Sequence, residues 1–151
     1  NSTAQKTLDA LLNQYNTRSV PYISVTELKM KMATGEITVL DAREYEEFAV
    51  SHIPSAKYVG YSAFSSEETT ATLHDKDQPI VVYCSLGIRS EEIGEKLKKA
   101  GYTNVKNLYG GIFEWKNKDF PVLDMEGNES ENVHTCSKTW SKWLTKGNKV
   151  Y

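Results

Sequence analysis

The sequence predicts an α/β domain, a parallel sheet with helices on both faces. Two observations carry that expectation. Apolar runs and helical periods alternate four times along the chain, the order that right-handed strand–helix–strand crossovers produce. The apolar runs also lack a strict polar alternation, "PIVVYC" at 79–84 most of all, as strands covered on two faces do. In such sheets ligands bind beyond the carboxyl ends of strands, where Asp41 and Cys84 stand.

The elements follow in order. Residues 3–16 place Ala4, Leu8, Leu11, Leu12 and Tyr15 on one helical stripe, and Pro21 closes that arm. In "ISVTELKMKMATGE", Ser24 and Glu27 form a capping box, Val25, Leu28 and Met32 the buried face, and Gly35 the stop. "ITVLDA" at 37–42 is a strand, and "REYEEFAV" has Tyr45, Phe48 and Ala49 at helical spacing. "AKYVGY" at 56–61 is a strand, followed by a Thr-rich helix that Ser65 and Glu68 cap. "PIVVYC" leads into a helix from about Ser90 with Ile93, Leu97 and Ala100 on one face, and Gly94 there suits close packing of helix on sheet. "NVKNLYGG" at 104–111 and "IFEWKNKDF" are the last strand and helix before Pro121.

Residues 124–132 are polar and acidic and read as a linker. Beyond them Val133, Cys136, Trp140, Trp143 and Leu144 recur at steps of three and four, with Lys138, Lys142 and Lys146 elsewhere. That spacing predicts a short amphipathic helix docked on the domain or on a partner. The organisation is then an arm at 1–19, one domain at 20–123, and a linker with a helix at 124–151.

Composition narrows the function classes. With 39% hydrophobic residues, 25% charged residues and a net charge of −2 over 151 residues, the chain can build a core and carries no basic signature of nucleic-acid binding. No apolar run is long enough to span a membrane. Two cysteines make no disulfide framework, and with three histidines they lack zinc-site spacing, so no metal or cofactor is expected. The chain opens at Asn1, not Met. That start, with an N-terminal arm, slightly favours a periplasmic or cell-envelope location over a cytoplasmic one.

The chemistry-bearing stretch is "VYCSLGIRS". A thiol reacts as thiolate, and a helix N-terminus offers free N–H groups and a positive dipole end. A loop curled into that helix forms an anion cradle. Gly87 permits a backbone angle that other residues resist, and Arg89 adds a planar cationic fork. From the loop alone, Cys84 reads either as an activated nucleophile or as a small buried hydrophobe ending a core strand.

These residues resemble the rhodanese family. "CSLGIRS" is similar to its active-site loop, C-x-x-G-x-[RT]-S. "DAREYEEFAVSHIPSA" resembles its D-x-R…E-[FY]…GHI-[PG]-GA signature, and "GYTNVKNLYGGIFEW" its G-[FY]-x-x-V-x-x-L-x-G-G-x-x-x-W ending. The three motifs stand in order across about residues 20–121. The resemblance implies a five-stranded parallel sheet with helices on both faces. It implies that Cys84 is catalytic, taking a sulfane sulfur from thiosulfate or another donor and passing it to a thiophilic acceptor. It further implies that Ser85, Leu86, Gly87, Ile88, Arg89 and Ser90 bind substrate, their N–H groups around the persulfide and Arg89 on the donor's oxyanion.

The loop is C-x4-R, one residue shorter than the C-x5-R of related phosphatases, so sulfur transfer is expected over phosphoryl transfer. Ser85 stands where many family members carry Arg, and Ile88 where the residue is often polar or basic, which points to a less charged donor, such as a polysulfide, a persulfide or a partner protein. Ser51 and Ser55 replace the glycines of GHIPGA. Asp41 and Arg43 are expected to form a buried ion pair that supports the loop, with Glu47 in the same role. His52 is expected to pack and hydrogen-bond, His74 and His134 to lie on the surface, and Trp115 to plug the core edge. Cys136 could resolve a persulfide, but its stripe favours a buried structural thiol. Trp140 and Trp143 read as a docking face. The expected protein is a sulfurtransferase, monomeric or weakly dimeric, acting on a small sulfur anion or persulfide. The alternative is a carrier module that delivers sulfur to a protein partner.

Overall fold

The computed structural model describes residues 2–151, with side chains from Thr7 onward. Five strands form one parallel sheet in the order β1-β5-β4-β2-β3. They are β1 (Tyr22–Ile23), β2 (Thr38–Asp41), β3 (Lys57–Tyr58), β4 (Ile80–Tyr83) and β5 (Val105–Leu108). Around them lie α1 (Ser2–Tyr15), α2 (Val25–Ala33), α3 (Tyr45–Val50), α4 (Ser66–Thr72), α5 (Arg89–Lys99) and α6 (Gly111–Asn117).

Neighbouring residues of one strand enter different cores, as a period of two requires. Val39, Val81 and Tyr83 pack with Leu8, Leu12, Leu28, Ile112 and Phe113. Leu40, Ile80 and Val82 pack with Leu73, Ile93 and Leu97. Both faces of β4 are therefore sealed, which explains its unbroken apolar run. The chain runs outward from β2 to β3 and then returns across β2 to β4. The loops leaving β2 and β4 diverge there, at the switch point where such sheets bind ligands.

The expected serines cap their helices, while the reciprocal capping box is formed by Glu44 and Glu47 at α3. Ser24 accepts from the Glu27 N–H at 3.1 Å and Ser65 from the Glu68 N–H at 3.2 Å. Gly94 packs tightly, with Val20 rather than the sheet as its neighbour. On the arm's stripe, Leu8 and Leu12 are buried while Tyr15 is exposed; the Ala4 side chain lies outside the described residues. The fifth strand, β1, carries no readable period because it is two residues long. It is held by its backbone: Pro21 accepts from the Asn107 N–H at 2.8 Å and Ile23 from the Tyr109 N–H at 2.9 Å.

The tail departs from expectation. The acidic stretch is a hairpin in which β6 (Val122–Leu123) pairs antiparallel with β7 (Glu129–Ser130). Its turn is closed by the Asp124 carboxylate, which accepts from the Glu126 and Asn128 N–H groups at 2.9 and 3.0 Å. The predicted amphipathic helix is replaced by a parallel pair, β8 (Asn132–His134) and β9 (Asn148–Val150), joined through the one-turn α7 (Lys138–Ser141). Two features limit the helix. Cys136 has φ 69°, outside helical space, and Ser137 caps α7 directly after it, accepting from Trp140 N–H at 3.2 Å. Asn117 then captures the following chain: its Nδ2 donates to the Trp143 carbonyl at 3.0 Å and its Oδ1 accepts from Thr145 N–H at 2.8 Å. Val133 and Leu144 are buried on the domain and Trp140 and Trp143 pack against the same core. Cys136, expected to be buried, is exposed.

Candidate active site

β4 ends at Tyr83, and the chain turns through Cys84–Ile88 into α5. Cys84 is buried, 1% exposed. Its Sγ accepts from the Gly87 N–H at 3.2 Å and the Ser90 N–H at 3.4 Å, and lies 3.3 Å from Ser90 Oγ. Gly87 has φ 117°, which aims its N–H back at the sulfur and which side chains resist.

The loop is fastened from outside. Asn107 Nδ2 donates to the Gly87 carbonyl at 2.9 Å, leaving Oδ1 to accept from Ser90 Oγ at 2.6 Å. Asn16, at the end of the arm, donates to the same carbonyl at 2.9 Å. Glu91 accepts from the Thr17 and Arg18 N–H groups at 3.0 and 2.9 Å, tying the arm to the start of α5. The start of α6 holds the loop's carbonyls: Ile112 N–H donates to Cys84 at 3.0 Å and Phe113 N–H to Ser85 at 3.2 Å. Gly111 makes this approach possible, since a Cβ there would lie 2.4 Å from the Cys84 oxygen.

Arg89 points across the loop. Its Nη1 and Nη2 donate to the two oxygens of Glu47 at 2.8 and 2.9 Å, and Nη2 also to Ser85 Oγ at 3.0 Å. Burial alone would raise the Glu47 carboxyl; hydrogen bonds and charge from Arg89, with Arg43 behind, override it and hold the group below the usual carboxylate range. Glu47 was grouped with Asp41 and Arg43, but its direct partner is Arg89.

Asp41 and Arg43 form the buried pair the sequence suggested. Arg43 Nη2 donates to Asp41 Oδ2 at 2.7 Å and to the Ser51 carbonyl at 2.7 Å, and the Tyr83 hydroxyl donates to Asp41 at 2.5 Å. Both charged side chains are fully buried and neither lines the cavity at Cys84. Ser51 is buried too, and its Oγ donates to the Asn132 carbonyl at 2.6 Å, fixing β8 to the domain. Ser55 holds φ 66° without glycine. His52 stacks on Phe48 with ring centres 4.1 Å apart and its Nδ1 lies 3.1 Å from the Phe48 carbonyl, a packing role. His74 is exposed, His134 is partly buried, and Trp115 is 1% exposed within the core.

The cavity over Cys84 has a volume of about 200 Å³. The loop residues Ser85, Leu86, Ile88 and Arg89 line one side, and Cys136 and Trp140 of the tail line the other. Trp140 meets Tyr15 of α1 edge to face at 5.9 Å, so arm and tail join beside the site. Asn16 and Asn107, the place of Trp140 in the cavity wall and the position of Cys136 were not anticipated from the sequence. Asn107 did leave a signal, a polar residue within an apolar strand, which demands a buried partner.

Comparison with known proteins adds the following. The family model described as "Rhodanese-like domain" matches residues 24–118. The "Putative sulfur carrier protein YrkF" of Bacillus subtilis (strain 168) is 33% identical over 104 residues, 68% of this chain and 55% of that protein. "Thiosulfate sulfurtransferase GlpE" of Coxiella burnetii is 27% identical over 111 residues, 74% of this chain and 97% of that protein. The crystal structure of protein BH2092 from Bacillus halodurans superimposes with a TM-score of 0.64 at 25% identity, covering 79% of this chain and 88% of that one. The chain spans about half of YrkF and about a quarter of some other curated relatives it matches.

Proposed function

The chain belongs to the rhodanese-like domain family of sulfurtransferases and sulfur carriers, and from that premise we propose that Cys84 carries sulfane sulfur between a donor and a thiophilic acceptor. The observation that carries this reading is the convergence of the Gly87 and Ser90 N–H groups on a cysteine sulfur at the floor of a cavity. In the first step Cys84 thiolate attacks the outer sulfur of R–S–SH. The donor's S–S bond breaks, R–S⁻ leaves, and Cys84–S–SH forms. In the second step an acceptor nucleophile attacks the outer sulfur and Cys84 departs as thiolate. The loop N–H groups meet the charge on Cys84 at the start of the first step and the end of the second.

The site favours a donor of low charge. The Arg89 fork is committed to Glu47 and Ser85, and Leu86, Ile88 and Trp140 make the walls largely apolar. A persulfide or polysulfide suits these walls better than thiosulfate, and the same commitment of Arg89 argues against a phosphate substrate. Delivery to a protein acceptor is the second reading, supported by the likeness to YrkF.

Intact-mass analysis after incubation with a polysulfide, and separately with thiosulfate, tests the proposal. A gain of one sulfur, lost in Cys84→Ser and discharged by cyanide as thiocyanate, is expected, with the polysulfide loading faster. No loading of Cys84 by any sulfane donor overturns it. Discharge to a protein acceptor but not to cyanide favours the carrier reading.

A further inference from the structure

Two thiols share the cavity: Cys84 at its floor, buried, and Cys136 at its rim, exposed. Cys136 lies outside residues 24–118, the part matching the family, and reaches the site because φ 69° turns the chain between β8 and α7. We propose that Cys136 is a second catalytic residue, a relay thiol that takes the sulfane sulfur from Cys84 and presents it to the acceptor. The inference rests on the persulfide reading of Cys84.

The geometry selects relay over disulfide formation. Sγ of Cys84 is enclosed by the loop, with the Gly87 and Ser90 N–H groups and Ser90 Oγ against it. A persulfide adds one sulfur at about 2.05 Å, and the open direction is the cavity. Displacement at sulfur proceeds in line with the bond that breaks. Attack on the inner sulfur would have to come from the loop side, which is filled. Attack on the outer sulfur comes from the cavity, where Cys136 stands. In that step the Cys136 thiolate attacks the outer sulfur of Cys84–S–SH. The S–S bond to Cys84 breaks, the outer sulfur keeps its proton as Cys136–S–SH, and Cys84 leaves as thiolate onto its N–H donors. No oxidant or reductant enters.

The charges around Cys136 suit a sulfur acceptor. Partial desolvation at the cavity rim pushes its thiol up, Arg89 opposes that, and Glu47, Cys84 and Glu44 add to it. A thiol of higher pKa is the stronger nucleophile once ionised. The exposed rim then offers a persulfide to acceptors that are too large to reach Cys84.

The test is a single turnover with the full chain. One equivalent of ³⁴S-labelled polysulfide is added, persulfides are trapped by alkylation, and the label is mapped by peptide mass spectrometry. Label should appear on Cys84 first and on Cys136 later. It should be absent from Cys136 in Cys84→Ser, and it should stay on Cys84 in Cys136→Ser. Cys136→Asn, which tolerates positive φ, should behave as Cys136→Ser and guards against a folding defect. Label that reaches Cys84 but never Cys136 overturns the relay and leaves the sulfurtransferase reading intact. So does a Cys84–Cys136 disulfide with hydrosulfide release, or label on Cys136 in Cys84→Ser. Failure to load Cys84 at all overturns both.

Discussion

The loop at 84–90 and the tail at 132–150 face each other across one cavity, yet they are made in different ways. The turn of the loop follows from its own sequence, though its anchors do not. An apolar strand delivers Cys84, Gly87 supplies the unusual angle, and α5 begins where its charges suit the helix dipole. The tail has a helical period in its sequence and folds otherwise, because distant groups hold its backbone. Asn117 takes residues 143–146, and Ser51 takes Asn132. The course of the loop is thus written locally and its anchors, Asn16 and Asn107, are supplied by the fold, while the tail facing it across the cavity takes even its course from distant contacts.

The largest effect expected from breaking that contrast is at Glu47. Glu47→Gln leaves the guanidinium of Arg89 largely buried without its counter-charge, and a loss of about 3 kcal/mol is expected in urea unfolding. The folded pKa of Glu47 lies below its unfolded value. Its contribution is therefore full above the unfolded carboxylate pKa and lost as pH falls through the folded one. The variant should lose stability less steeply on that acid limb. With its fork released, Arg89 should also lower the KM for thiosulfate relative to a polysulfide.

Next in size is Asn107→Ala, which leaves the Ser90 hydroxyl and the Gly87 carbonyl without their shared partner. About 1–3 kcal/mol of stability is expected to be lost, with slower Cys84 loading in stopped-flow trapping. An unchanged loading rate would show that the loop holds its own shape. Asn117→Ala addresses the other wall. It should cost about 1–2 kcal/mol and raise hydrogen exchange at 143–146 while Gly87 and Ser90 stay protected. Loss of protection in both regions would merge the two into one cooperative unit. The smallest effect is at Ser55, where a left-handed backbone costs roughly 1–2 kcal/mol, offset by about 0.5–1 kcal/mol of glycine entropy. Ser55→Gly should therefore raise stability by about 0.5–1 kcal/mol, with the site untouched.

By itself the sequence determined the parallel α/β sheet, the place of Cys84 at a strand end, and the Asp41–Arg43 pair. These follow from periodicity, caps and turn residues, which act within a few positions of one another. Only tertiary structure decided that Arg89 turns to Glu47, that Asn16 and Asn107 fasten Gly87, and that β1 is a strand at all. Those contacts join residues far apart in the chain, and their side chains are ordinary in their local settings. Cys136 is the clearest case. Its spacing placed it on a buried helical face, whereas a positive φ and the captured backbone after α7 put it at the rim above Cys84. A hydrogen bond from a distant asparagine outweighs a weak helical period, since a one-turn helix has little cooperativity to lose.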